Sequence, residues 1–193
     1  MIPIAALAGI IVGLIAGGRF RSIFYKRFRL WPMIAVAFIC GFLLSLSFFS
    51  DYLVSSGQEV FWRTVLAAVQ LSAATVFLYA NRRKPGVWFI LAGGVMNGMV
   101  IMLNAGRMPV GRLVLRYGEQ AADKINEAPH YFLMQGGEPL WFLADIMPAF
   151  RYMLSAGDLL IMLGVFLLGV YMSRPIRRKA MNHRSARQTA GRF

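Results

Sequence analysis

Apolar residues in this chain come in long blocks rather than in alternation. Five blocks, at residues 2–17, 30–50, 64–81, 87–105 and 149–173, approach the roughly 20 apolar residues a helix needs to cross a bilayer. A transmembrane β-strand would alternate apolar and polar positions over about ten residues, and no such stretch is present. The pattern predicts an all-α fold, a polytopic membrane bundle of five transmembrane helices forming one domain over 1–173, with a tail at 174–193. The first block has no basic residue before it and no small-residue cleavage pattern after it, so it is expected to be a retained helix rather than a signal peptide.

The connections add detail. Residues 106–148 are too many for a simple turn. Within them, "VGRLVLRYGEQAADKIN" mixes Leu113, Leu115 and Tyr117 with Arg112, Arg116 and Glu119, which predicts a short interfacial helix. "GGEPLWFLADIMP" then places a short apolar piece between Pro139 and Pro148. It is too short to span and predicts a half-inserted segment. Small residues recur at Gly9, Gly13 and Gly17, and again at Gly94 and Gly98. Such stripes let helix backbones approach closely in lipid. Packing within the chain is their expected use, and a homo-oligomer through the first stripe is the alternative.

Charge orients the bundle. The chain carries 21 Lys and Arg against 8 Asp and Glu, a net charge of +13. Fifteen of those 21 follow blocks one, three and five: Arg19, Arg21, Lys26, Arg27 and Arg29; Arg82, Arg83 and Lys84; and Arg174, Arg177, Arg178, Lys179, Arg184, Arg187 and Arg192. Cytoplasmic loops retain Lys and Arg. The N-terminus is therefore expected outside and the C-terminus inside a bacterial cytoplasmic membrane, with the acidic residues on the outer side or within a span. The expected partner is the lipid bilayer, with anionic headgroups at the basic tail, and not nucleic acid.

Composition agrees with this class. Apolar residues make up 58% of the 193 and charged residues 15%, against about a quarter charged in soluble domains. Cys40 lies alone inside a block and reads as a small buried hydrophobe. No metal-ligand spacing, phosphate-binding glycine loop or Ser-His-Asp set is visible, so no cofactor or metal is expected.

The polar residues inside the blocks carry the candidate chemistry. Asp158 stands in "SAGDLLIMLGVFLLGV", and an intramembrane carboxylate costs roughly 2.5–3.5 kcal/mol by insertion scales. Counted from residue 149 at 1.5 Å per residue, it would lie about 14 Å deep. Asn97 would reach about 12 Å and Gln70 about 9 Å, and Asn104 is two helical turns from Asn97 on the same face. These residues are expected to share an outward-facing polar pocket, with Arg107 and Arg112 at its rim able to receive an anionic headgroup. His130 titrates in the range for proton transfer, but a lone loop histidine is more often incidental. Asp145, if folded back across Pro148, would face Asp158, and close carboxylates share a proton.

Two resemblances follow from these motifs. "SAGDLLIMLG" resembles the segment around the second catalytic aspartate of lipoprotein signal peptidase (signal peptidase II), matching at Asp158, Ile161 and Gly164. Ser155 and Gly157 stand where that family has Asn and Ala. "LNAGRMPV" is similar to its Asn-x-Gly element, and Asp145 takes the order of its first aspartate. That resemblance implies an aspartyl membrane hydrolase with Asp158 and Asp145 as the catalytic pair. Across the chain, the order of "LNAGRMPV", "HYFL", "LADIMP" and "SAGD" resembles an uncharacterised family of small bacterial membrane proteins, which implies location and no chemistry. The expected function is a membrane protein whose pocket binds a lipid-like or small polar ligand through Asn97, Asn104, Gln70 and Arg107. The alternatives are the hydrolase and a structural or accessory membrane subunit.

Overall fold

The computed structural model describes residues 1–150 and 152–175; the basic stretch 176–193, and the headgroup binding expected of it, lies outside the described residues. The fold is predominantly helical, and each apolar block yields a helix. α1 (Ile2–Ile15) and α3 (Trp31–Ser45) both carry a proline in the first turn, where its missing N–H would be unpaired anyway. α2 (Arg21–Tyr25) is a short helix between them. α4 is Ser47–Ser55, α5 Glu59–Ala80, α6 Val87–Leu103, α7 Glu119–Glu127 and α8 Ala156–Ser173. At 22 and 18 residues, α5 and α8 are long and apolar enough to cross a membrane, while α1, α3 and α6 are shorter apolar helices.

The block boundaries shift for local reasons. The second block does not run unbroken to residue 50. Ser45 Oγ donates to the Phe42 carbonyl at 2.7 Å, a side-chain bond of the kind that competes with the helical ladder, and Leu46 is extended at ψ 118. The third helix starts at Glu59 rather than 64, because Glu59 and Arg63 pair at 2.8 Å across one turn and support a polar first turn. The fifth does not include residues 149–155. Met147–Ala149 and Tyr152–Leu154 form an antiparallel hairpin, β3–β4, and Phe150 at its turn has φ 54.

The connection between α6 and α8 also departs from expectation. Its amphipathic stretch is two pieces, a 3-10 helix at Arg112–Tyr117 and then α7. They are separated by Gly118 at φ 104, a backbone region that favours glycine. The segment expected to half-insert has only a 3-10 turn at Trp141–Leu143. Instead it joins a small sheet, in which β1 (Met108–Val110) pairs in parallel with β2 (Tyr131–Leu133) and Val110 bridges to Asp145. Val100, Met108 and Ala144 form a compact core there with Ile101, Leu140 and Leu143 against them.

Helix packing runs α1–α8–α6–α5–α3, so the last helix in sequence lies between the first and the sixth. Glycines on both sides make this approach. A methyl group at Gly9 would overlap the Phe166 carbonyl, one at Gly13 would lie 2.8 Å from Ser173 Cβ, and one at Gly169 2.9 Å from the Ala6 carbonyl. The first stripe is thus taken up by α8, except at Gly17, which faces open space. It is Gly93 on α6 and Gly86 just before it that meet α8, through the carbonyls of Gly157 and Gly164, while Gly98 packs on Leu71 and Gly94 on nothing.

The ends of the bundle differ in charge. Arg29 N donates to Asn81 Oδ1 at 3.0 Å, and Lys84 Nζ to the same oxygen at 2.9 Å. Arg19 N donates to the Ser173 carbonyl at 2.7 Å, and Lys26 Nζ donates to the Tyr171 carbonyl. The basic segments that follow blocks one and three therefore meet at the end of the bundle where α8 finishes. The small sheet closes the other.

Gly93→Leu is predicted to overpack the α6–α8 contact and lower stability by roughly 1–3 kcal/mol, whereas Gly94→Leu changes it by about 0.5 kcal/mol or less. Thermal unfolding of the two variants in detergent checks this; equal losses would contradict the packing.

Candidate functional site

α8 opens on a capping box. Ser155 Oγ accepts from the Asp158 backbone N–H at 2.9 Å, and the Asp158 carboxylate accepts from the Ser155 N–H at 3.3 Å. This reciprocal arrangement satisfies donors that a helix start leaves unpaired, and an acidic residue there also complements the helix dipole. Asp158 therefore does not lie nine residues into a helix. It is the third residue of α8, because the apolar residues before it are hairpin.

Asn97 ties this cap to α6. Its Nδ2 donates to Asp158 Oδ1 at 2.8 Å, and its Oδ1 accepts from Ser155 Oγ at 2.8 Å. A carboxylate only accepts, so the amide must turn its NH2 toward Asp158, and the hydroxyl then donates to the remaining oxygen. The ring of bonds is consistent in one orientation. Ser155 is fully buried, and Gly157 makes room: a methyl group there would overlap Asn97 Oδ1 and come within 2.7 Å of the Gly93 carbonyl. The small residue before Asp158 is thus required by the α6 contact.

Asp158 and Asn97 face a cavity of about 370 Å³, at the low end of the roughly 300–1,000 Å³ of ligand pockets. Leu44 and Gly41 of α3, Ala67, Gln70, Leu71 and Ala74 of α5, and Gly94, Gly98 and Ile101 of α6 form its walls. The connection between α6 and α8 closes it with Gly106, Met108, His130, Tyr131 and Asp145. Among the described residues the Gln70 amide makes no hydrogen bond; it packs against Gly41, where a methyl group would come within 2.9 Å of its Nε2.

Asp145 is buried at 7% exposure, and its Oδ1 is enclosed without a hydrogen-bond partner. Its backbone is fixed on both sides, N–H to the Pro109 carbonyl at 3.2 Å and carbonyl from the Gly111 N–H at 2.8 Å. Burial pushes its carboxyl up to about 7, with the charge of Asp158 adding to the shift. The Tyr131 phenol is raised by burial first, then by Asp145 and Asp158. His130 is lowered by burial, opposed by its bond to Leu44 and helped by Arg63 and Arg107. Its Nδ1 is 3.3 Å from the Leu44 carbonyl.

Two expected site residues lie elsewhere. Asn104 is the residue after the last turn of α6, at φ −112, so the two-turn projection from Asn97 no longer applies. Its amide donates to the Val100 and Pro139 carbonyls at 2.7 and 3.1 Å and holds the connection to the helix end. Arg107 donates to the Tyr131 carbonyl and lies over Phe132, 5.8 Å from the ring centroid; it does not line the cavity. Arg112 donates to the Met134 carbonyl at 3.1 Å. The site also holds residues that sequence reasoning passed over. Arg63 is buried, pairs with Glu59, and donates to the Pro129 carbonyl at 2.5 Å, anchoring the chain just before His130 and β2. The Glu-x-x-x-Arg spacing was its available signal. Among the described residues no cluster of three or more metal-binding side chains exists.

Comparison with known proteins places the chain in a family. The family of unknown function DUF5317 matches residues 25–170, and the chain belongs to it. An uncharacterized protein of Thermotoga maritima is 28% identical over 118 residues, 58% of this chain and 67% of that protein. No solved structure matches. The family match confirms the whole-chain resemblance and covers Asn97, Asp145, Ser155 and Asp158. The resemblance to signal peptidase II finds no support in these matches, and the capping box supplies another reason for the Ser-x-x-Asp motif that carried it.

Asp145 gives a pH signature. Its folded pKa of about 7 lies above the ordinary 3.8, so between those values the folded state binds more protons than the unfolded state. This contribution to stability then falls as pH rises from about 4 to about 7, and is level above that. Asp145→Asn is predicted to remove this decline. Unfolding midpoints at pH 5 and pH 8 check it, and an unchanged pH difference in the variant would contradict the burial of an ionising carboxyl.

Proposed function

We propose that this chain is an integral membrane protein that binds a lipid-like or small polar ligand in the cavity between α3, α5 and α6. In this reading α1, α3, α5, α6 and α8 all cross the bilayer, with the N-terminus outside, the C-terminus inside and the cavity opening outward. The observation that carries it is the convergence of Asp145, Asp158, Asn97 and Gln70 on one cavity. They come from three helices and a loop, at the end of the bundle away from the basic segments. A pocket with apolar walls and a few convergent polar groups is the usual form of a small-molecule site.

Membrane crossing is supported by what the helices leave uncovered. Ile4 and Ile15 of α1, Phe38 and Phe42 of α3 and Leu159 and Leu163 of α8 are exposed, so three of the apolar helices leave large apolar side chains uncovered. At 14, 15 and 17 residues, the shorter helices rise about 21–26 Å. Local thinning of the roughly 30 Å hydrocarbon core accommodates such lengths at modest cost. The basic end matches the cytoplasmic face.

Two arms test the reading. In a Cys40→Ala background, a membrane-impermeant maleimide added to intact cells is expected to label Lys124→Cys and not Arg83→Cys; the reverse pattern would overturn the orientation. Gly94→Leu fills the cavity from a position with open space around it. Native mass spectrometry is expected to find a co-purifying small molecule on the wild-type protein and none on the variant, and equal occupancy of both would overturn the site.

A further inference from the structure

The cavity has a charge character that narrows what it accepts. Its ionisable lining consists of Asp145, Asp158, His130 and Tyr131, with no Lys or Arg among the lining residues. Asp158 has both oxygens engaged, one by Asn97 and one by the Ser155 N–H, so it is held rigidly with lone pairs to spare. Asp145 has an oxygen enclosed at the cavity with no donor reaching it, in a residue more than nine-tenths buried. A buried acceptor without a partner is costly, and the cheapest remedy is a donor delivered by the occupant. Arg63 and Arg107 lie outside the lining; Arg63 donates to Glu59 and the Pro129 carbonyl and Arg107 to the Tyr131 carbonyl, while the Arg107 Nε is buried without a partner.

The opposite walls are apolar. Leu44, Leu71, Ala74 and Ile101 line them. α3 and α6 both pack on α5, and the cavity fills the cleft they leave. Gly94 and Gly98 remove side-chain bulk from the α6 wall. Polar acceptors at one end and a smooth apolar cleft at the other fit an amphiphile.

Building on the binding function proposed above, we infer that the occupant is an amphiphile with a primary ammonium group, held between the Asp145 and Asp158 carboxylates with its apolar chain along Leu71 and Ile101. An ammonium brings three donors and a positive charge to two acceptors, and charge-assisted bonds of this kind are stronger than neutral ones. An anionic headgroup would meet like charge from Asp158, and from Asp145 as well once that carboxyl ionises, which an ammonium beside it favours. The ammonium comes from a soluble amine or from a lipid headgroup, and both present the same group to the site.

The test uses the full chain in phosphatidylcholine nanodiscs, with n-octylammonium, n-octanol and n-octanoate as probes and tryptophan fluorescence or calorimetry as the readout. Each signal is corrected by that of Gly94→Leu, which removes simple partitioning. The expected order is octylammonium at least about tenfold tighter than octanol, with octanoate weakest. Asp145→Asn is expected to bring the amine down to the level of the alcohol. Competition by phosphatidylethanolamine added to the discs identifies a lipid source, and its absence a soluble amine; either supports the inference. If octanol or octanoate binds as tightly as the amine and Gly94→Leu abolishes both, the ammonium inference fails while the pocket stands. If no probe separates wild type from Gly94→Leu, the pocket reading fails as well.

Discussion

The end of this molecule that holds the cavity depends on how closely α6 and α8 approach. Gly93 and Gly157 face each other's backbones, and Gly86 and Gly164 do the same a few turns away. Only at that separation can the amide of Asn97 reach both members of the Ser155–Asp158 capping box. A single side-chain amide thereby joins the start of one helix to the flank of another. A hydrogen bond to a charged group contributes about 1.5–3 kcal/mol, and losing it would leave the carboxylate facing an unpaired amide. Close packing, cap and polar network are one device.

That device also explains how an acidic residue is tolerated in so apolar a helix. At the third position of α8 it meets unpaired N–H groups and the positive end of the helix dipole. The same fixed carboxylate then acts on its surroundings. It adds to the burial that lifts Asp145, and it gives the cavity a negative side facing apolar walls. Arg63, through Pro129, and the β1–β2 pairing hold the lid that places Tyr131 and Asp145 over this space. The acids come from separate elements, α8 and a loop.

Much of this was legible in the sequence, and the rest was hidden for identifiable reasons. Blocks of apolar residues mark the five long helices because few polar side chains interrupt them. Hydropathy cannot separate an apolar hairpin from an apolar helix, so Tyr152, Met153 and Leu154 were read into the last helix and Asp158 seemed deep. The Ser155-x-x-Asp158 spacing marked the true start. Gly94 and Gly98 share helical spacing, yet the neighbouring Gly93 carries the contact with α8, since spacing alone does not say which face meets a partner. Asn104 was lost to the site because α6 ends one residue earlier, at a point that Gly106, with φ 77, signals. Gln70, Asn97, Asp145 and Asp158 do reach one cavity. His130 and Tyr131 join it through the parallel pairing of β1 with β2, a long-range contact that no local pattern encodes.

The central claim is that water from outside the cell reaches the cavity these residues share. The direct measurement is the reactivity of Gly94→Cys, in a Cys40→Ala background, toward a charged, impermeant methanethiosulfonate added to intact cells. Modification at a rate within about a hundredfold of an exposed loop thiol is the predicted result. An inert thiol at this position in a correctly folded protein would mean that the carboxylates are sealed among their neighbours, and the account of the site would be wrong.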